Sequence, residues 1–369
     1  MAWLVWSPLV VNLVLGLLGP WIARTLPPGM AVRLVPIAMV VVAMGTGTVL
    51  TTFGFLLFAQ VPEVAWLGNW SASRLGAQQP WPVAAEAMAG ICAALLLAAG
   101  LHTTARMIRE LVRFAGTARR LVPGPDGVVI VPGAVPDAYT LPALPGTPAR
   151  VVVTTAMLRA LDGEESRVLF AHEAAHVSGR HHIYVQVAHL ASATNPLLRP
   201  TARAVRFAVE RAADEAAAHR LGNRRLVARA LARAALAKAA ALRADDLGQG
   251  STGTSSVSLS ATGGQVAQRA AALLAPAPRP RRAIAVGLLA LTTITLLGSS
   301  VAVDQLDDRL DQAELPEPVL SSSRTGVPSP STWSRCPARS RSSSARTPSS
   351  SPSSPSCWSF PGTGRHDVA

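Results

Sequence analysis

A chain of 369 residues has room for two or three globular units, but with 49% hydrophobic and only 15% charged residues and a mean hydropathy of +0.31 it is too apolar for a wholly water-soluble protein. The formal net charge of +13 would suit a nucleic-acid partner. The basic residues, however, lie beside apolar blocks and along an alanine-rich stretch, so the expected partner is a bilayer with anionic headgroups and no nucleic acid is expected.

The first apolar block runs over residues 3–18 and is closed by Gly19-Pro20, with Trp3, Trp6 and Trp21 where an aromatic belt would sit. A secretory signal fits it less well, because the start is not basic and no small-residue cleavage site follows. Residues 34–59 and 83–101 are each long enough to cross a bilayer core, and 283–303 forms a fourth such block without a charge. Residues 1–104 therefore read as a three-helix transmembrane region and 283–303 as one further transmembrane helix. Arginine flanks the proposed inner ends, with Arg24 and Arg33, then Arg106, Arg109 and Arg113, and finally Arg279, Arg281 and Arg282. Asp304, Asp307, Asp308 and Asp311 follow the last block. This asymmetry predicts an N-terminus outside, a cytoplasmic interval over 105–282 and a tail outside.

That interval has no cysteine, as a reducing compartment allows, so disulfides do not organise it; Cys92 falls within the third block as a small packing residue. It opens with three short apolar runs at 128–131, 138–141 and 150–154, separated by Pro- and Gly-rich turns, which predict a small antiparallel sheet. Val151-Val152-Val153 is the candidate edge strand for holding an extended peptide, with simple packing on the next helix as the alternative. Asp162 is a good N-cap with Glu165 as its capping-box partner, and Val168, Leu169, His172 and His176 follow at helical spacing.

His172-Glu173-Ala174-Ala175-His176 carries the chemistry. Residues four apart share a helix face, so the two imidazoles can offer nitrogens to one metal ion, and Glu173 can take a proton from water outside the coordination sphere. Asn195-Pro196 ends this helical region, and Pro200 suits the first turn of the next helix. On that helix Glu210 is placed to give a third, oxygen ligand, and Asp214, four further on, to hold a ligand histidine by its other ring nitrogen. His181 and His182 read as surface or membrane-facing, and His219 as a weaker candidate for stabilising an oxyanion. Residues 224–243 read as an amphipathic helix on the surface of the domain or membrane, and 248–264 as a flexible Ser/Gly connection. From about 321 the chain is dominated by Ser, Pro and Arg, so 304–369 is expected to be a disordered tail.

HEAAH followed by ERAAD, with RVVVTTAMLRALDGEES before them and RLVARALARAAL after, resembles the membrane metallopeptidases of the BlaR/MecR type, which are gluzincins. The HtpX-like and CAAX-protease group shares the HExxH and ExxxD pair more distantly; three spans before the domain and one after resemble the BlaR/MecR arrangement more closely. The resemblance covers about residues 1–305. It implies a mainly α membrane protein with a cytoplasmic α+β zincin-like domain, one zinc ion on His172, His176 and Glu210, and Glu173 as general base. One departure is plain: β-lactam-sensing members carry a penicillin-binding sensor after the last span, and the residues here do not resemble one. The implied function is a zinc-dependent endopeptidase, with regulated cleavage of a cytoplasmic protein such as a transcriptional repressor as the first reading. Quality control of membrane proteins and a non-catalytic membrane signalling role are the alternatives.

Overall fold

A computed structural model describes residues 2–78, 81–120, 124, 127–143, 148–249, 255–276 and 281–314. A 3₁₀ turn, Ala2–Trp6, leads into helix α1, Ser7–Thr25, and the extended Leu26 lets Pro28 start α2, Pro28–Phe58, where its missing N–H costs no hydrogen bond. The short helices α3, Pro62–Leu67, and α4, Ala72–Ala77, connect to α5, Val83–Arg120. Helix α12, Arg282–Ala313, closes the described chain. Four stretches are long and apolar enough to cross a membrane: Trp3–Thr25, Pro28–Phe58, Val83–Gly116 and Arg282–Ala313. Their outward faces carry Leu17, Met44, Leu95, Leu101 and Leu289, all more than half exposed, as suits helices whose surroundings are lipid. Where α2 crosses α5, a Cβ on Gly54 would come within 2.4 Å of the Gly90 Cα, so the crossing depends on two backbones meeting at glycine.

The last helix corrects the expected boundary at 303. Residues 304–313 are helical, because Leu306, Leu310 and Ala313 form one face against Leu56, Ala59 and Leu75. The rest of the expected disordered tail lies outside the described residues.

The sheet comprises β1, Val128–Val131, β2, Ala138–Leu141, and β3, Arg150–Thr154, in the order β1-β3-β2. It is mixed rather than antiparallel: β3 pairs parallel with β1 and antiparallel with β2. Burial explains the order. Val152 meets Val129 and Leu141 on one face, Val153 meets Met157 and Leu161 on the other, and both valines are fully buried, so this strand takes the centre. Val151-Val152-Val153 is therefore paired along both sides and is not an edge. The edges are β1 and β2, and β2 is the edge strand that lies against α7.

Thr154 caps α6, Thr155–Ala160, and Asp162 caps α7, Gly163–Ser178, with the reciprocal capping box in place. The Glu165 carboxylate of that box is fully buried and receives Arg229 Nε at 3.1 Å and Arg233 Nη1 at 2.8 Å. Both arginines come from α10, Arg224–Gln249, so one face of this alanine-rich helix packs on α7 rather than on open surface. Helix α11, Ser255–Leu274, replaces most of the expected flexible connection; 250–254 lie outside the described residues.

The region after α7 is broken. Arg180 takes a left-handed conformation with φ of 49°, which separates α8, His181–Thr194, from α7. After a 3₁₀ turn at Pro196–Leu198 the chain returns as α9, Arg199–Leu221. This α8–α9 hairpin does not belong to a body apart from the apolar helices. Ala188, Ala191, Leu198, Val205 and Val209 share one core with Val11, Leu15, Val35, Met39 and Val42 of α1 and α2. At the tip, Asn195 Nδ2 donates to Asn12 Oδ1 at 2.9 Å between two buried side chains, and Thr201 Oγ1 donates to the Leu15 carbonyl at 3.1 Å.

Candidate metal centre

Helix α7 turns His172, Glu173 and His176 toward α9, which runs beside it and presents Glu210 and Asp214. His172 Nε2 and His176 Nε2 stand 3.1 Å apart, and the two Glu210 oxygens lie 3.7 Å from the first and 3.8 Å from the second. These three residues are the group among the described residues whose donor atoms converge closely enough to hold a metal ion. Zinc bonded at about 2.0–2.1 Å in tetrahedral geometry keeps its ligand atoms roughly 3.3 Å apart, a value the separations here bracket.

The protons around the centre favour a cation too. His172 Nδ1 is 3.1 Å from Asp214 Oδ1, a contact that requires its hydrogen on Nδ1 and leaves a lone pair on Nε2. His176 Nδ1 is 3.3 Å from His181 Nδ1; with His176 as donor, its Nε2 lone pair also points inward. In the metal-free protein a proton on His172 Nε2 can bridge the 3.1 Å gap to His176 Nε2; with both rings neutral the same two lone pairs face one point, and the donor set of two imidazoles and a carboxylate fits zinc.

Electrostatics separate the two imidazoles. Burial lowers the His172 pKa, but the hydrogen bond and charge of Asp214, with Glu210 behind it, more than offset that and the net shift is upward. His176 lacks such a partner; burial, aided by the His172 and His181 charges, takes it down to about 3. Burial alone would raise Asp214, yet the Arg269 and His172 hydrogen bonds dominate and hold it below the usual carboxylate range. Arg269, from α11, donates through Nε and Nη2 to the two Asp214 oxygens, each at 2.7 Å, and its Nη1 lies 2.9 Å from Glu210 Oε2. One guanidinium thus ties together Glu210 and Asp214 of α9. Glu173 is 7% exposed and accepts a hydrogen bond from Thr140 Oγ1 at 2.7 Å. Burial raises its pKa, and the Thr140 bond and the His172 charge only partly counter this, so it is a stronger base than an exposed glutamate.

These residues line a cleft of about 370 Å³ whose walls are Ala138, Tyr139 and Thr140 of β2, His182, Val185 and Gln186 of α8, and Val209 of α9. The Asp137 carbonyl accepts from the Thr154 N–H, so by the alternation of an antiparallel ladder Ala138 and Thr140 turn their main-chain groups to the open side.

The five residues singled out in the sequence, His172, Glu173, His176, Glu210 and Asp214, are thus brought together. Three further residues of the centre were not marked out. His181, expected at the surface, is buried, because the break at Arg180 folds it back onto His176 and its ring fills the space a Gly179 Cβ would occupy, 2.4 Å from Nε2. The Gly179-Arg180 pair, which begins three residues after the second histidine, was the available signal. Arg269 stands alone in a stretch of Ala and Gln 55 positions after Asp214, and nothing local distinguishes it. Thr140 became legible only once β2 was known to be the edge strand against α7. His219 is exposed at the end of α9 and His102 is exposed on α5.

The sequence model of Peptidase family M48 matches residues 101–195. No curated protein and no solved structure matches the chain. The match covers about a quarter of the chain and supports a metallopeptidase. It includes His172, Glu173, His176 and His181 but stops before Glu210, Asp214 and Arg269, whose association with the two histidines comes from the geometry.

Proposed function

We propose that this chain is an integral membrane zinc-dependent endopeptidase of the gluzincin kind. His172, His176 and Glu210 hold the metal, Glu173 is the general base, and Asp214 orients His172. The observation that carries this reading is the convergence of two imidazole nitrogens and a carboxylate from α7 and α9 beside a buried glutamate in an open cleft. Zinc in that position supplies Lewis-acid polarisation of a water molecule and of the scissile carbonyl.

The chain's own groups do the rest. An extended peptide pairs with the open edge of β2 through the main-chain groups of Ala138 and Thr140. Glu173, held by Thr140, takes the proton of the attacking water and then delivers it to the leaving amine. Asp214 keeps the His172 proton on Nδ1, and Arg269 holds Asp214 and Glu210 in register.

The four apolar helices cross the bilayer, with the catalytic cleft on the cytoplasmic side and the N-terminus and tail outside; the arginines at the ends of α1, α2, α5 and α12 support this. The BlaR/MecR resemblance favours regulated cleavage of a cytoplasmic repressor or signalling protein as the role. One observation favours membrane-protein clients instead: α8, which walls the cleft, runs between α2 and α5, so a peptide bound there lies close to the bilayer. Comparing soluble and membrane proteomes of cells carrying the native chain or Glu173→Gln separates the two roles. Accumulation of one soluble protein supports the first, and accumulation of membrane proteins supports the second. If neither set changes, the proteolytic reading is wrong.

A further inference from the structure

At the far end of the apolar helices from the metal centre lies a cavity that the peptidase reading does not use. It holds about 300 Å³, within the lower range of small-molecule sites, and is walled by Trp6, Phe53, Trp81, Leu56 and Thr52, with Arg309 of α12 at its side. It sits some 30 Å along α2 from Arg33, at 1.5 Å per residue over the turns to Phe53. The walls are ordered by mutual contact: Trp6 stacks on Phe53 with centroids 5.2 Å apart, and Trp81 meets Trp6 edge-on at 5.3 Å and Phe53 at 6.5 Å.

Charge decides what such a cavity accepts. Beyond Arg282, Arg309 is the one basic residue of α12, among Asp304, Asp307, Asp308 and Asp311. The four aspartates are exposed, whereas Arg309 is half-buried against the aromatic wall, and none of the ion pairs among the described residues includes it. Arg309 is in the cavity wall and none of the four aspartates is, so the charge that faces the cavity is positive, and a small polar molecule would find almost no hydrogen-bonding wall. A molecule with an apolar chain and one anionic group satisfies both features, the chain against the rings and the anion on the guanidinium.

We propose that this cavity is a binding site for one anionic phospholipid, its acyl chain among Trp6, Phe53 and Trp81 and its phosphate at Arg309. The site rests on the reading that α1, α2 and α12 cross a bilayer, which puts Trp6, Trp81 and the arginine near headgroup depth. The full-length protein, delipidated in detergent, is titrated with phosphatidylglycerol or with phosphatidylcholine of the same chains and followed by native mass spectrometry. One phosphatidylglycerol is expected to remain bound under conditions that strip phosphatidylcholine. Arg309→Gln should lower its affinity about tenfold, to the level of the zwitterionic lipid. Trp81→Ala, outside every helix, should weaken retention while leaving the metal content unchanged. Equal retention of the two lipids, or full retention by Arg309→Gln, would show annular lipid only and overturn the site. Alkaline carbonate extraction of membranes tests the underlying reading separately. Protein that stays in the pellet without selective lipid retention removes only the site, and protein that is released removes both.

Discussion

On the proposed reading zinc competes with protons for His172, and the surroundings of that ring set the direction of the competition. Asp214 raises the His172 pKa above its ordinary value near 6.5, whereas His176, pushed down to about 3, is neutral at any working pH. A group whose folded pKa is raised adds stability that is complete below the unfolded pKa and is lost as the pH rises through the folded one. In the metal-free protein the His172–Asp214 pair therefore stabilises most below about pH 6.5. Zinc needs the neutral ring, so its affinity should climb over the window in which that stabilisation fades. Dye-competition measurements of zinc affinity between about pH 6 and 8 check this; a flat profile would mean that His172 is not a ligand. Asp214→Asn should cost about 10–100-fold in zinc affinity, because the tautomer and aim of His172 are no longer held. Arg269→Gln leaves Asp214 without its bidentate partner and should lower zinc affinity by less, with the fold retained.

At the scale of elements, the decisive feature is the turn at Gly179-Arg180 and the hairpin that follows. Gly179→Ala puts a methyl group where the His181 ring sits, so metal content should fall while thermal unfolding of the protein changes little. The hairpin tip offers a test with a sign. Asn12→Leu leaves Asn195 buried without its partner and should destabilise by roughly 1–3 kcal/mol, whereas Asn12→Leu with Asn195→Leu should recover most of that loss. Melting of the three variants in one detergent measures it; a double variant no better than the single would show that the amide pair is not what holds the tip. The sequence made the helices legible where a chemical signal marked their ends, as at Asp162 with Glu165, Asn195-Pro196 and Pro200. It misled where composition stood in for structure. The Ser- and Gly-rich residues before Arg269 form the start of α11, and Asp304 to Ala313 continue α12 because an apolar face at 306, 310 and 313 outweighs the charges. Strand order was beyond reach, since three short apolar runs do not reveal which one has both faces covered.

For the molecule as a whole, the apolar helices and the helices of the metal centre share one core, which neither motif nor hydropathy announced. Hydropathy separates residues 1–104 from 105–282, but Ala188, Val205 and Val209 complete the packing of α1 and α2. The cause is that α9 is rich in charged residues, and many of the residues that α8 and α9 bury are alanines, too small to raise the hydropathy of either helix. An excised fragment of residues 105–282 should therefore fail to fold and should aggregate, as size-exclusion chromatography would show; a monodisperse, zinc-binding fragment would contradict the shared core. The same connection gives any movement of α1 or α2 a direct mechanical route to α8 and His181. The candidate site itself was largely legible, since the HExxH and ExxxD spacings name four of its chemical groups and the aspartate behind them. The supporting side chains, His181, Arg269 and Thr140, depend on tertiary proximity that no spacing encodes.

The central claim is that two helices close a zinc site beside a catalytic carboxylate, and metal analysis of the purified full-length protein alongside Glu173→Gln tests it most directly. One zinc ion per chain in both proteins, with peptide cleavage in the native chain and none in the variant, is the predicted result. Absence of stoichiometric zinc from the native protein, or undiminished cleavage by Glu173→Gln, would contradict it.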